Sequence, residues 1–578
     1  MNRRLIFSLL LLAVGCGALF ALQRHGADTP ITLRPLLELF ADTQRQAERL
    51  PLRLTQLSEK EESEIGERIA RDHGLTARSY RNSDAQEIAA RVASVGSAVA
   101  AHAQRKGIVY HFYLEDSPGF VNAFALPGGQ IVMGRGLLEL IESEDELAAI
   151  LGHEIAHVDK RHAIERLQYE MAARKIGLEG FYRLGQPLVQ IFRAGYTKEL
   201  ELEADRVGLD LAVAAGYSPT GGVEVMKRFE KFEPEVTRRA GSPVKEIANV
   251  SISALQEYFR SHPPAAERRA ALEAEIRARG WNPSQALRTL SIRSIFLTDA
   301  AERLDRKGEF AGSLERLKEA LKIAPDYGRA WDGFVQVTWR SGDASETVAA
   351  AQEAMGHGMT VGRWVLLARG LAASDPGNAL ARFRSIEEPL HTSASEAGLT
   401  AQMELAGLQL AADQRGALDE YQRLIGSTSR PPERQAALRR EMAWWMYRAG
   451  KLDLAEKELE AARQVFPQAG ETHIALAWIQ SDRGRQADAQ ALRSQGRPQN
   501  AQAGMEALAA VIDWRTGQQD RAKADFQRAA AADPVWMVPR WVENNYSASA
   551  ATVIKQLQAA ESARRLKEEQ ERQSRTAQ

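Results

Sequence analysis

Beyond about residue 285 the chain repeats a turn glycine: Gly308, Gly342, Gly377, Gly416, Gly450, Gly484 and Gly517. The gaps are 33 to 35 residues, with one of 39. A segment of that length cannot bury its apolar face alone, so successive segments must stack into one elongated core. Each unit is expected to be a pair of antiparallel helices. Trp444, Tyr447, Gly450 and Ala455 mark one unit, Ala475, Trp478 and Gly484 the next, and Trp514, Gly517 and Ala522 another. Pro325, Pro467 and Pro534 stand where second helices end. Residues 345 to 400 fit the pattern poorly, and the longer gap there implies an insertion. The period is that of tetratricopeptide repeats, whose stacks form a concave groove suited to proteins or peptides. The Trp and Tyr residues are read as core, not as a ligand site.

Upstream, His153-Glu154-Ile155-Ala156-His157 is followed by Glu201-Leu202-Glu203-Ala204-Asp205. On a helix, positions i and i+4 share a face, so His153 and His157 can grip one metal ion. Glu154 is turned about 100° from His153, near enough to reach a metal-bound water without being a ligand. A catalytic zinc needs a third protein ligand and one open position; Glu201 is the candidate. Asp205 is placed to accept a hydrogen bond from the free N–H of a ligand histidine. Glu199 and Glu203 lie on other faces and read as solvated or capping.

Local signals frame these helices. Ser143 and Glu146 form a capping box, and Leu147, Ile150, Leu151 and Ile155 recur at helical spacing. The second helix runs from about 197 to 215 and stops at Gly216 and Pro219. His162, five residues past His157, points elsewhere on a continuous helix and reads as a surface histidine. His262 precedes Pro263-Pro264, an extended turn that can aim it into a cleft.

Residues 120 to 280 resemble the HtpX and CAAX prenyl protease family of zinc metallopeptidases. Five segments carry the likeness in order: Asn122 to Gly129, His153 to His157, Glu201 to Asp205, Ala215 to Pro219, and Ser261-His262-Pro263. The layout, with helical repeats after the peptidase, is similar to the BepA type of periplasmic protease and chaperone. The resemblance implies that His153, His157 and Glu201 bind one Zn2+ per chain and that Glu154 is the general base. It implies that His262 approaches the metal, either to stabilise the oxyanion or to fill the open position in a resting, self-inhibited form. It also places Asn122 and Ala123 on a substrate-binding strand. Segments 108–114, 120–125 and 130–133 read as strands, with 126–129 turning between the last two. An edge strand near the metal can pair with an extended peptide main chain. The fold class is then mainly α: a gluzincin-type α+β peptidase domain with a small sheet, followed by an α-solenoid of tetratricopeptide-like repeats.

Composition bounds the partners and the compartment. With 75 Lys and Arg against 76 Asp and Glu the net charge is −1, which offers nothing to nucleic acid. The sole cysteine, Cys16, lies in an apolar stretch from Leu5 to Leu22 behind Asn2-Arg3-Arg4, an export signal. Cleavage after a residue such as Ala21, retention as a membrane anchor, and lipidation at Cys16 all remain open. The expected segments are 1–27 signal or anchor, 28–105 lead-in helices with Ser83 and Gln86 capping one of them, 106–283 peptidase, 284–546 repeats and 547–578 a charged helical or disordered tail. A charged loop over 236–250 is placed above the site. The expected partners are protein or peptide substrates, a protein in the repeat groove such as the outer-membrane protein assembly machinery, and the membrane through the N-terminus. Two function classes follow: an exported, periplasmic endopeptidase acting on misfolded or stalled envelope proteins, and a chaperone or scaffold with a resting metal site.

Overall fold

The computed structural model describes residues 57–75, 80, 82–173, 196–238, 246–247, 250–251, 255, 262–385, 396–426, 430–496 and 503–576. The expected export segment, Cys16 and the lead-in up to residue 56 lie outside the described residues. So does most of the 236–250 loop, of which Glu246–Ile247 pairs antiparallel with Val250–Ser251. No helix among the described residues is long and apolar enough to cross a membrane. The chain is mainly α and divides into two compact units, Met1–Leu290 and Ser291–Gln578.

In the first unit, α1 (Glu59–Asp72) opens on a capping box of Ser58 and Glu61. Helix α2 (Ser83–Ala100) is capped by Asn82, whose side chain accepts from the Asp84 N–H at 2.8 Å. The cap therefore sits one residue before the expected Ser83, because Asn82 keeps extended backbone angles while Ser83 is already helical. Its stripe of Ile88, Val92, Val95 and Val99 is buried. Three strands follow in the order β1-β3-β2: β1 (His111–Glu115), β2 (Ala123–Leu126) and β3 (Gln130–Gly134). β1 runs parallel to β3, with Tyr113 opposite Val132, and β2 antiparallel, with Ala125 opposite Ile131. The Gly134 N–H donates to the Asn122 carbonyl at 2.9 Å. By antiparallel alternation, Ala123 and Ala125 then turn their own N–H and C=O groups away from β3, to the open edge of the sheet.

The sheet leads into α3 (Glu144–Asp159), which starts on the expected Ser143 and Glu146 box. α3 ends at Lys160, and Arg161 takes φ +66°, a left-handed turn that strains a non-glycine residue by roughly 1–2 kcal/mol. Helix α4 (His162–Ala173) leaves in a new direction. Helix α5 (Lys198–Ala214) crosses α3 where two glycines meet. A Cβ on Gly208 would lie 2.5 Å from the His153 nitrogen, and one on Gly152 would lie 2.5 Å from the Gly208 carbonyl oxygen. Helix α6 (Gly221–Arg238) and α7 (Ala265–Arg279) complete the surround. Asp145, in the first turn of α3, accepts from the Ser218 N–H at 2.6 Å and so fixes the turn that ends α5.

The second unit is a run of antiparallel helix pairs. It begins with Arg293–Lys307 against Phe310–Ile323 and Gly328–Arg340 against Ala344–Met355, and ends with Ala503–Arg515 against Gln519–Ala532. Of the seven periodic glycines, all but Gly377 take left-handed φ between +70° and +86°, so the turn chemistry lapses in the stretch that broke the sequence pattern. Trp364 and Trp445 are fully buried, as core residues. The segment after the last pair folds back on the first ones: Asp533 accepts from Arg340 at 2.9 and 3.1 Å, Asn544 donates to the Gly342 carbonyl at 3.0 Å, and Pro534 packs on Gly308. The final helix, Ala548–Thr576, buries Ala550, Ile554 and Leu557 in the repeat core. The first half of the expected tail is thus part of the repeat fold, because its apolar stripe has a partner.

Candidate metal centre

Helix α3 presents His153 and His157 one turn apart on the face toward α5, with their Nε2 atoms 3.0 Å from each other. Glu201, in the first turn of α5, brings its carboxylate to 3.5 Å from His153 Nε2 and 3.8 Å from His157 Nε2. All three side chains are buried and their ligand atoms lie within 4.8 Å of one another. A tetrahedral ion with bonds of ~2.0–2.2 Å separates its ligand atoms by roughly 3.3–3.6 Å. Glu201 Oε1 accepts from the Tyr196 N–H at 3.1 Å, but Oε2 is buried without a hydrogen-bond partner. A carboxylate oxygen so placed is costly unless a cation meets it. Burial would lower the His153 ring, yet Asp205 and Glu201 outweigh it and push it up to about 10, while burial and His153 hold the His157 ring well below the usual histidine value. The donor set fits a metal ion, held by two imidazoles and one carboxylate.

Each histidine is also held from behind. His153 Nδ1 lies 2.9 Å from Asp205 Oδ1. Arg268, from α7, donates Nη2 to that oxygen at 2.6 Å and Nε to Oδ2 at 2.8 Å. Burial alone would raise the Asp205 carboxyl, but Arg268 and His153 hold it well below the usual carboxylate range. Behind His157, the Tyr196 ring stacks at 4.0 Å with 20° between planes. His162 is 3% exposed, with Nδ1 2.9 Å from His157 Nδ1 and Nε2 3.4 Å from Glu203 Oε2. This overturns the reading of His162 as a surface histidine, while Glu203 stays partly solvated, its side chain 39% exposed. Periodicity assumed one continuous helix; the left-handed turn at Arg161 instead brings residue 162 back to residue 157.

Glu154 is 5% exposed, and burial, opposed by His153 and aided by Glu201, pushes it up to about 7. The Ala125 N–H on the open edge of β2 hydrogen-bonds to its carboxylate. Asn122 lies one residue before β2, its Oδ1 accepting from the Ala123 N–H at 3.0 Å. His262 stands with Nε2 3.9 Å from Glu201 Oε2, its side chain only 9% exposed. Asn122, Ala123, His153, Glu154 and His262 all line one cleft. Asp205 and Arg268 also line it, and Leu137, Ile150, Leu209, Val225, Met226 and Leu272 give it a largely apolar wall.

Sequence reasoning missed Arg268, Tyr196, His162 and the Gly152–Gly208 crossing. The glycines did carry a signal, since a glycine inside a helical pattern usually marks a close approach. Arg268 carried none, being brought in by tertiary folding.

Comparison with known proteins converges on the same stretch. Residues 84–276 match the model of peptidase family M48. The mitochondrial metalloendopeptidase OMA1 of Arabidopsis thaliana is 29% identical over 174 residues, covering 29% of this chain and 32% of its own. The beta-barrel assembly-enhancing protease of Yersinia pestis is 28% identical over 195 residues, covering 30% of this chain and 40% of its own. The chain thus spans less than half the length of these relatives. A solved tetratricopeptide repeat protein from Parabacteroides merdae aligns at 18% identity over 46% of this chain and 98% of its own, with a TM-score of 0.28, too low to add to the helix pairing described above. The matched stretch gathers α3, α5 and α7 around one cluster of ligand-type side chains, and residues 84–276 are thus similar to a peptidase family M48 domain.

Proposed function

We propose that this chain is a zinc-dependent endopeptidase. The observation that carries the reading is the convergence of His153, His157 and the unpartnered Glu201 Oε2, with Glu154 beside them. Zinc, when bound, lowers the pKa of a coordinated water toward ~7 and polarises a carbonyl. The chain supplies the rest. Glu154, oriented by the Ala125 N–H, takes the water's proton and delivers it to the leaving amine. The outward carbonyls of Ala123 and Ala125 accept from the N–H groups of an extended peptide, and Asn122 flanks that pairing. Main-chain pairing tolerates many sequences, while the apolar cleft favours an aliphatic or aromatic side chain next to the scissile bond.

The finer reading places the protein in the periplasm of a diderm envelope, exported by its N-terminal segment and clearing misfolded or stalled envelope proteins. The second unit recruits a protein partner. The name of the Yersinia relative, a β-barrel assembly-enhancing protease, supports the outer-membrane assembly machinery as that partner. The position of His262 favours a second reading, in which the site rests closed and the repeats act as a chaperone or scaffold. Faster cleavage by His262→Ala would speak for that resting state, and slower cleavage for a role in the reaction.

The test is digestion of an unfolded protein such as casein by the purified chain, with zinc measured on the same sample. One zinc per chain is expected, with cleavage lost on chelation, restored by zinc, and cut sites enriched in apolar residues on one side. Cleavage that persists in chelator, or a chain that retains no zinc, would overturn the reading.

A further inference from the structure

We propose that His162 and Glu203 form a relay that fixes the ring of His157, making both of them positioning residues for the metal centre. The inference rests on the zinc reading of the site and deepens it. With Nε2 turned to the metal position, His157 carries its ring proton on Nδ1. The atom facing that proton is His162 Nδ1, at 2.9 Å, which must therefore accept. His162 then holds its own proton on Nε2, the ring nitrogen that lies within ion-pair distance of Glu203 Oε2, at 3.4 Å. A hydrogen bond joins the ligand ring to a neutral imidazole, which a half-exposed carboxylate backs at ion-pair distance. His153 is served differently, by Asp205 directly, with Arg268 behind it.

Three observations separate this from an ordinary buried histidine. First, helical geometry does not produce the contact: five residues along α3 would carry position 162 roughly 140° from His157. The left-handed backbone of Arg161, uncommon for a non-glycine residue, creates it. Second, His162 opens α4, where the partial positive charge of the helix start favours a neutral ring and so an acceptor at Nδ1. Third, Glu203 and Glu201 lie two residues apart on α5, so the element that brings a ligand carboxylate to one side of His157 also brings the relay carboxylate to the other. Tyr196, stacked on the His157 ring, leaves the imidazole little freedom except rotation in its own plane, which the relay opposes.

The test is zinc affinity, measured on the full chain by competition with a chromophoric chelator, together with thermal melting in the absence of metal. His162→Phe keeps the ring and the packing but removes the acceptor, and should weaken zinc binding by roughly 10–100-fold. His162→Asn keeps an acceptor near the Nδ1 position and should recover most of that loss. Glu203→Ala, at a half-exposed site that leaves the core intact, should weaken binding by a smaller factor of about 3–10. If His162→Phe binds zinc as wild type does, or if His162→Asn is no better than His162→Phe, the relay is overturned while the zinc reading stands. A wild-type chain with no zinc affinity would overturn both.

Discussion

Glu154→Gln should retain its zinc and lose its proteolysis. Glutamine keeps the length of the side chain and an oxygen to accept from the Ala125 N–H, so the β2 edge and the cleft keep their shape. What disappears is a basic oxygen beside the metal position. A positioned acid–base group contributes ~10²–10⁴ in rate, and here one group serves both the attack and the departure of the amine, so the drop should reach the upper end. The fold should not suffer. Burial already pushes this carboxyl up to about 7, so the neutral amide removes a charge that the site accommodates poorly. Casein hydrolysis, zinc content and melting temperature on one preparation check all three claims. Cleavage within tenfold of wild type at full zinc occupancy would mean that another group is the base.

Gly208→Val should damage the site from behind. A Cβ at this position would sit 2.5 Å from the His153 nitrogen, 2.6 Å from the Gly152 carbonyl carbon and 2.8 Å from the Gly152 oxygen. These are backbone atoms of a capped helix and cannot swing aside, so α5 must back away from α3 by about 1 Å to reach ordinary contact distance. Glu201 and Asp205 ride on α5 and move with it, while His153 and His157 stay on α3. Overpacking of this kind costs about 1–3 kcal/mol or somewhat more. A shift of ~1 Å among reacting groups costs ~10²-fold in rate. A lower melting temperature, weaker zinc binding and slower proteolysis are expected together. Wild-type values for all three would show that the glycine crossing does not set the geometry.

The two-imidazole face, the acidic pair on the following helix and both ends of the repeat units are written in local spacing, and local spacing is what a sequence displays. Ser143 with Glu146 caps α3 because the box is complete within four residues. The same logic misplaced His162, because a helix break without glycine or proline leaves no mark in the pattern; Arg161 turns the chain with an ordinary side chain. Arg268 was illegible for another reason. It is paired across 63 residues with Asp205, and nothing near either position announces the other. Asn82 displaced Ser83 as a cap because two capping residues stood side by side, and only backbone angles choose between them.

The return of residues 533–547 to the first helix pairs has a consequence for how the second unit comes apart. A linear array melts piecemeal, fraying from its termini inward, since each repeat leans only on its neighbours. With residues 533–544 held on the first helix pairs, the two ends of this array brace each other. Gly308 and Gly342 are covered by residues some two hundred positions downstream, so losing either end exposes the other. The array should therefore hold or fail as one cooperative block, and it should be slow to form, since its closing contacts wait for the last helices to arrive.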